Sequence, residues 1–284
     1  MDEIRAFAKI NLYLRVHGRR SDGYHYITNI MHLVSLHDTL EVSPSEGFHL
    51  DLHLEPNLPN AESIPRDSSN SVLAAMIALG WAGARAVLKK GIPPGAGLGG
   101  ESTDAAAALR LGAAHQRVPE QRLRTLAARL GSDVSFFLTG YPAALISGTG
   151  EEVEPVPPFP DIPLVVAMPH QGLATARVYR QFDTMGQGKA PPPYAVLEAM
   201  ALRDLSRLVR AIYNDLQAPA EALLPEIRLV RSAMVQCGAL GAWVTGSGAG
   251  VFGIAASPAE AEAIRRKLAK EPYVGWCCVC RSIA

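Results

Sequence analysis

No stretch of this 284-residue chain approaches the roughly 20 consecutive apolar residues that a helix needs to span a bilayer. The amino-terminal segment MDEIRAFAKINL begins with charge but lacks an apolar core followed by a small-residue cleavage site, so a cytoplasmic protein is expected. Net charge is also lacking, because 27 Lys and Arg balance 27 Asp and Glu. That balance removes the bulk electrostatic drive towards a nucleic-acid backbone or an anionic membrane, and neither is expected as a partner. A local basic pocket for phosphates stays compatible with it. Cysteine is scarce: Cys237 stands alone, and Cys277, Cys278 and Cys280 crowd one expected strand. Neighbouring strand residues alternate faces, which makes a poor disulfide framework and a poor zinc site. Free thiols are expected, with no metal site built from protein side chains. Internal repeats are absent, and no pattern signals self-association. What remains is 48% hydrophobic and 19% charged, the composition of a globular chain.

Apolar alternation and β-branched residues predict strands over 4–16, 27–36, 39–42 and 48–54, with the turn cluster GRRSDGYH between the first two. A helix is expected from Asn70, capped by Ser68 or Ser69, and a short strand over 85–90. Helices follow after the glycine-rich stretch and over 122–130, the latter ended by Gly131. The run PVPPFPDIP, residues 155–163, cannot sustain helix or central strand. It sets the expected division into residues 1–156 and 157–284. Beyond it the pattern predicts strands over 164–168, 241–245, 251–255 and 274–279, and helices over 175–182, 219–236 and 258–270. Strands and helices mix without strict alternation, which favours the α+β class over a doubly wound sheet.

The most informative segment is Pro93-Pro94-Gly95-Ala96-Gly97-Leu98-Gly99-Gly100-Glu101-Ser102-Thr103, between an expected strand and an alanine-rich helix. Glycines permit positive φ and close backbone approach to a ligand. Successive N–H groups at a helix start then point into one concavity, which suits a polyphosphate. Ser102 and Thr103 offer hydroxyls for phosphate, for magnesium or for capping. A Walker A loop is excluded, because no lysine follows these glycines. A dinucleotide fingerprint needs an acidic residue about 20 positions on, at the end of a second strand, where this chain is still helical. The loop alone implies phosphate binding.

Three segments together carry a resemblance. PPGAGLGGESTDAA and VTGSGAGVFG (residues 244–253) resemble the two glycine motifs of the galactokinase–homoserine kinase–mevalonate kinase–phosphomevalonate kinase superfamily. AFAKINLYLRVHGRRSDGYH, residues 6–25, with LGSDVSFFLTG and Asn214-Asp215, resembles the branch of that superfamily acting on a cytidine diphosphate-linked polyol. The resemblance implies a two-domain kinase with its active site in a cleft, the first domain binding ATP and carrying the catalytic groups. It implies transfer of the ATP γ-phosphate to a substrate hydroxyl, with Mg2+ accompanying ATP. It also implies a catalytic pair, Lys9 and Asp133. Asp133 would accept the hydroxyl proton, and Lys9 would stabilise charge on the transferring phosphoryl group. The cytidine end would fall on Tyr24 and His25 with Tyr179 as a second stacking face, Asn11 would lie beside Lys9, and Asn70 and Lys90 would face adenine.

Two alternatives stand beside this: a superfamily relative acting on mevalonate, homoserine or a sugar, and a catalytically weak binding protein. The second draws on one departure, Glu101, where the family usually has glycine. A carboxylate 4 Å from a unit negative charge is repelled by about 1 kcal/mol in water and about 4 kcal/mol at an effective dielectric of 20. Glu101 is therefore expected to turn outward.

Overall fold

The computed structural model describes residues 2–186 and 188–284. Along the chain run strands β1 (Asp2–Arg19), β2 (His25–Pro44) and β3 (Phe48–Leu54), helix α1 (Ser71–Leu79) and strand β4 (Ala84–Lys90). Helices α2 (Gly100–Gln116), α3 (Glu120–Leu130) and α4 (Val134–Thr139) precede strands β5 (Ala143–Ser147) and β6 (Glu152–Pro155). Then come β7 (Pro163–Met168), α5 (Thr175–Met185), α6 (Tyr194–Ala201), α7 (Leu205–Ala211) and β8 (Tyr213–Asn214). The chain ends with α8 (Gln217–Leu223), α9 (Glu226–Gln236), β9 (Gly241–Val244), β10 (Val251–Ile254), α10 (Pro258–Leu268) and β11 (Trp276–Arg281).

Two sheets organise the described residues. The larger follows the order β3-β4-β2-β1-β8, with β5 also on β2 and β6 on β5. The smaller runs β11-β7-β10-β9. Period-2 burial decides what each face meets. Ala8, Ile10 and Leu12 of β1 share one buried cluster with Leu164, Val166 and Met168 of β7 and Phe252 of β10, so the two sheets meet there. The other face of the larger sheet, including Leu40 and Leu88, packs under α1, α2 and α4 through Met76, Leu109 and Phe136. Helices α9 and α10 cover the smaller sheet with Ile227, Met234 and Ile264.

The two halves also interlock. β8 lies parallel to β1, pairing Tyr13 with Tyr213 and Leu14 with Asn214. His32 on β2 is fully buried; its Nδ1–H donates to the Leu33 carbonyl (2.9 Å), and its Nε2 accepts the Phe159 N–H (3.0 Å). That neutral ring ties β2 to the proline-rich connection.

Local chemistry explains where the elements depart from the sequence reading. The cap of α1 is Asn70 and not Ser68 or Ser69: its side chain accepts the Val72 N–H at 3.0 Å, and Gly80 in the left-handed region ends the helix. The expected helix over 219–236 is two helices, because Pro225 forbids helical geometry at Leu224, which is extended at φ −141°. The strands expected over 27–36 and 39–42 are one strand, β2. Elements α4, α6, α7, β5, β6 and β8 were not anticipated, each being eight residues or shorter. No helix among the described residues is long and apolar enough to cross a membrane.

Candidate active site

The glycine-rich stretch leaves β4 and opens α2, and its backbone is braced on three sides. The Lys9 N–H of β1 donates to the Leu98 carbonyl (3.0 Å). From the turn between β9 and β10, Ala249 N–H reaches Gly95 O (2.8 Å) and Gly250 N–H reaches Ala96 O (3.1 Å). The Gly97 carbonyl accepts from both Lys9 Nζ (2.8 Å) and Thr245 Oγ1 (3.2 Å). Gly97 has φ 67°, and a Cβ there would overlap the Thr245 carbonyl oxygen. The second glycine motif thus acts as a splint for the first. Asn214 anchors that splint, donating from Nδ2 to the Val244 (2.8 Å) and Gly246 (2.9 Å) carbonyls.

In front of the loop opens a cavity of about 860 Å³. Lys9 and Asn11 enter it from β1, where strand alternation sets both on one face between register irregularities after Phe7 and after Asn11. Lys9 is 2% exposed and donates to Asn11 Oδ1 at 2.6 Å. Asn11 in turn donates to Asn29 Oδ1 (2.9 Å) and accepts from Thr245 Oγ1 (3.0 Å). Asp133 stands at the start of α4 with no capping bond from its side chain, leaving the carboxylate free, 3.7 Å from Lys9 Nζ. Burial lowers the Lys9 pKa from its ordinary value, and the Asp133 charge opposes that fall.

Lys90 occupies a different setting. It is buried between two carboxylates, Asp38 in a short ion pair and Asp104 at 2.7 Å. Asp38 Oδ1 also accepts the N–H groups of Gly91 (2.6 Å) and Ile92 (2.8 Å), fixing the entry to the loop. Among the described residues, Asp104 Oδ1 is buried without a hydrogen-bond partner. Burial pushes the Asp104 carboxyl up to about 8, against the pull of Lys90. Burial opposes the charge on Lys90, but the two carboxylates prevail and hold its pKa above the ordinary value.

At the opposite end lie Tyr24, 63% exposed, and His25, whose ring stacks on Tyr179 with centroids 5.1 Å apart and planes at 29°. Burial, then the Asp133 charge, raises the Tyr179 phenol well above its ordinary range. Lys9, Asn11, Tyr24, His25, Asn70, Lys90, Asp133 and Tyr179 all line this one cavity, as do residues 93–102. Thr103 does not: the turn of α2 carries it into the core at 3% exposure. Glu101 is exposed at the cavity wall. Sequence reasoning passed over Asn29, Asp38 and Asp183. Asp104 and Thr245 stood inside the two quoted glycine motifs but drew no role.

A braced glycine loop opening a helix, facing a lysine–aspartate pair across a cleft, defines a small-molecule kinase of the GHMP class. Residues 68–141 match the family described as GHMP kinases N terminal domain, and residues 196–275 match GHMP kinases C terminal. The chain is 37% identical over 278 residues to a 4-diphosphocytidyl-2-C-methyl-D-erythritol kinase of Desulfitobacterium hafniense, covering 96% of this chain and 94% of that relative. It is 39% identical over 283 residues to the kinase of the same name from Moorella thermoacetica, covering 94% of each. A crystal structure of 4-(cytidine 5'-diphospho)-2C-methyl-D-erythritol kinase superposes with a TM-score of 0.80 at 34% identity, covering 100% of both chains. Mevalonate kinase of L. major shares the fold, with a TM-score of 0.72 at 19% identity over 100% of this chain and 96% of that one. The chain belongs to the 4-diphosphocytidyl-2-C-methyl-D-erythritol kinase family. It is an ATP-dependent phosphotransferase with an alcohol group as acceptor.

Proposed function

We propose that this chain transfers the γ-phosphate of ATP to the 2-hydroxyl of 4-diphosphocytidyl-2-C-methyl-D-erythritol, in the non-mevalonate route to isoprenoid precursors. One observation carries the reading. The Lys9 amine and the Asp133 carboxylate lie 3.7 Å apart in a cavity that runs from the glycine loop to Tyr24, His25 and Tyr179. Asp133 takes the proton of the attacking hydroxyl as its oxygen bonds to the γ-phosphorus and the bond to the ADP oxygen breaks. Lys9, held by Asn11 and Gly97, offsets the charge growing on the transferring group. The backbone of residues 93–102 cradles the phosphates, with Asn70 and Lys90 on the adenine side. Tyr24 and Tyr179 supply aromatic faces for the cytosine, and His25 its polar edge.

Magnesium enters with ATP. Phosphate oxygens and water would hold most of it. Ser102, on the cavity wall at the start of α2, would offer its hydroxyl to the ion. The division at residues 156 and 157 is supported by the smaller sheet, whose strands all follow it. Four unpaired cysteines and a need for ATP favour the cytoplasm.

Asp133→Asn tests the assignment. Turnover with the cytidyl substrate is expected to fall between about 100- and 10,000-fold while ATP affinity holds. Full activity in that variant removes Asp133 as the base, and consumption of ATP with mevalonate or homoserine in place of the cytidyl substrate removes the substrate.

A further inference from the structure

Helix α5 turns Tyr179, Phe182 and Asp183 onto a single target, the imidazole of His25. Spacings of three and four residues put them on one helical face. Tyr179 covers the ring face, and Phe182 meets its edge with centroids 6.2 Å apart. Asp183 Oδ1 lies 2.6 Å from Nε2. The other carboxylate oxygen stands 3.5 Å from Arg19 Nη1, and Arg19 Nε donates to the Gly23 carbonyl at 3.3 Å. Arg19 and His25 are cross-strand partners at the ends of β1 and β2. One carboxylate from α5 therefore ties both ends of the turn that carries Tyr24. His25 lines the cavity at 8% exposure, and its Nδ1 has no hydrogen-bond partner among the described residues.

We propose that Asp183 is a positioning residue that sets base specificity. By accepting the Nε2–H of His25, it selects the tautomer whose Nδ1 is a lone-pair acceptor at the cavity wall. Which imidazole nitrogen carries the proton is set by the bond the other nitrogen's environment offers. An acceptor there suits cytosine, whose exocyclic amine donates, and opposes uracil, which presents a carbonyl oxygen at the same place. A site built to bond a donor rejects a ligand that leaves its acceptor unpaired. The proposal rests on the cytidine reading given above, and Asp183 itself touches no substrate.

The test is calorimetric titration of the whole chain with CDP, UDP and ADP. The unaltered protein is expected to prefer CDP over UDP. Asp183→Ala should weaken CDP binding roughly ten-fold and abolish the preference while leaving ADP affinity unchanged. Asp183→Asn keeps an acceptor oxygen and should restore most of the preference. A CDP preference undiminished in Asp183→Ala overturns the proposal. Failure of the unaltered protein to bind either pyrimidine nucleotide instead removes the cytidine reading on which it stands. Nitrogen-15 NMR of the unaltered chain gives an independent check should the alanine variant not fold. The His25 ring should carry its proton on Nε2, and a proton on Nδ1 overturns the proposal.

Discussion

Replacing Gly97 with alanine tests the idea that the turn between β9 and β10 exists to hold the phosphate loop. Gly97 sits at φ 67°, where alanine costs about 1 kcal/mol in backbone strain. The new methyl would also overlap the Thr245 carbonyl oxygen and sit 3.1 Å from Gly248 N, both backbone atoms that cannot rotate aside. The loop and the turn must part. The bonds at stake are those from Lys9 Nζ and Thr245 Oγ1 to Gly97 O, and from Ala249 N and Gly250 N to Gly95 O and Ala96 O. Each contributes about 1 kcal/mol net, so strain plus two or three lost bonds totals about 3–4 kcal/mol. Urea unfolding should report that loss, and the KM for ATP should rise about ten-fold or more as the cradle spreads. Gly18→Ala is the control, since nothing lies within 4 Å of a Cβ there. Unfolding within about 1 kcal/mol of the parent, together with an unchanged KM for ATP, would refute the splint.

His32 predicts acid lability. Burial holds its pKa near 4 against an ordinary 6.5, so the unfolded chain takes up a proton that the folded chain refuses. Stability is full above pH 6.5 and falls by up to about 3 kcal/mol as pH drops towards 4, a slope that His32→Gln should flatten in urea titrations. Asp104 acts in the opposite sense. With its folded pKa raised from 3.8 to about 8, the folded chain holds a proton that the unfolded chain releases, so stability declines as pH rises through that window. Asp104→Asn should remove the decline, and an unaltered slope between pH 5 and 8 would disprove a proton held there. Glu101→Gly should lower the KM for ATP about five-fold at low ionic strength and less at high salt. A KM that ignores both the substitution and the salt would show the carboxylate is out of reach of the phosphates.

What could be read along the chain was whatever a few consecutive residues decide. The strand–loop–helix around residues 93–103 was legible because glycine density and an alanine-rich helix are local signals. The Asn70 cap was misplaced by a residue or two because three capping side chains, Ser68, Ser69 and Asn70, stand together, and only the geometry of the Val72 N–H chooses among them. Helix α4 was hidden by its length of six residues, too short to show a period. At the site, Lys9 and Asp133 were named through the family resemblance, whereas Asp38 and Asp183 were missed for one shared reason. Each is an ordinary polar residue whose partner lies far along the chain: Lys90 for Asp38 and His25 for Asp183. Such residues carry no mark of their own, because their chemistry is defined by the group they hold. The groups that would meet the substrate arise at motifs, but the groups that aim them arise wherever the fold passes behind those motifs. A backbone loop or an imidazole cannot orient itself, so this second set decides whether the first is placed for phosphoryl transfer.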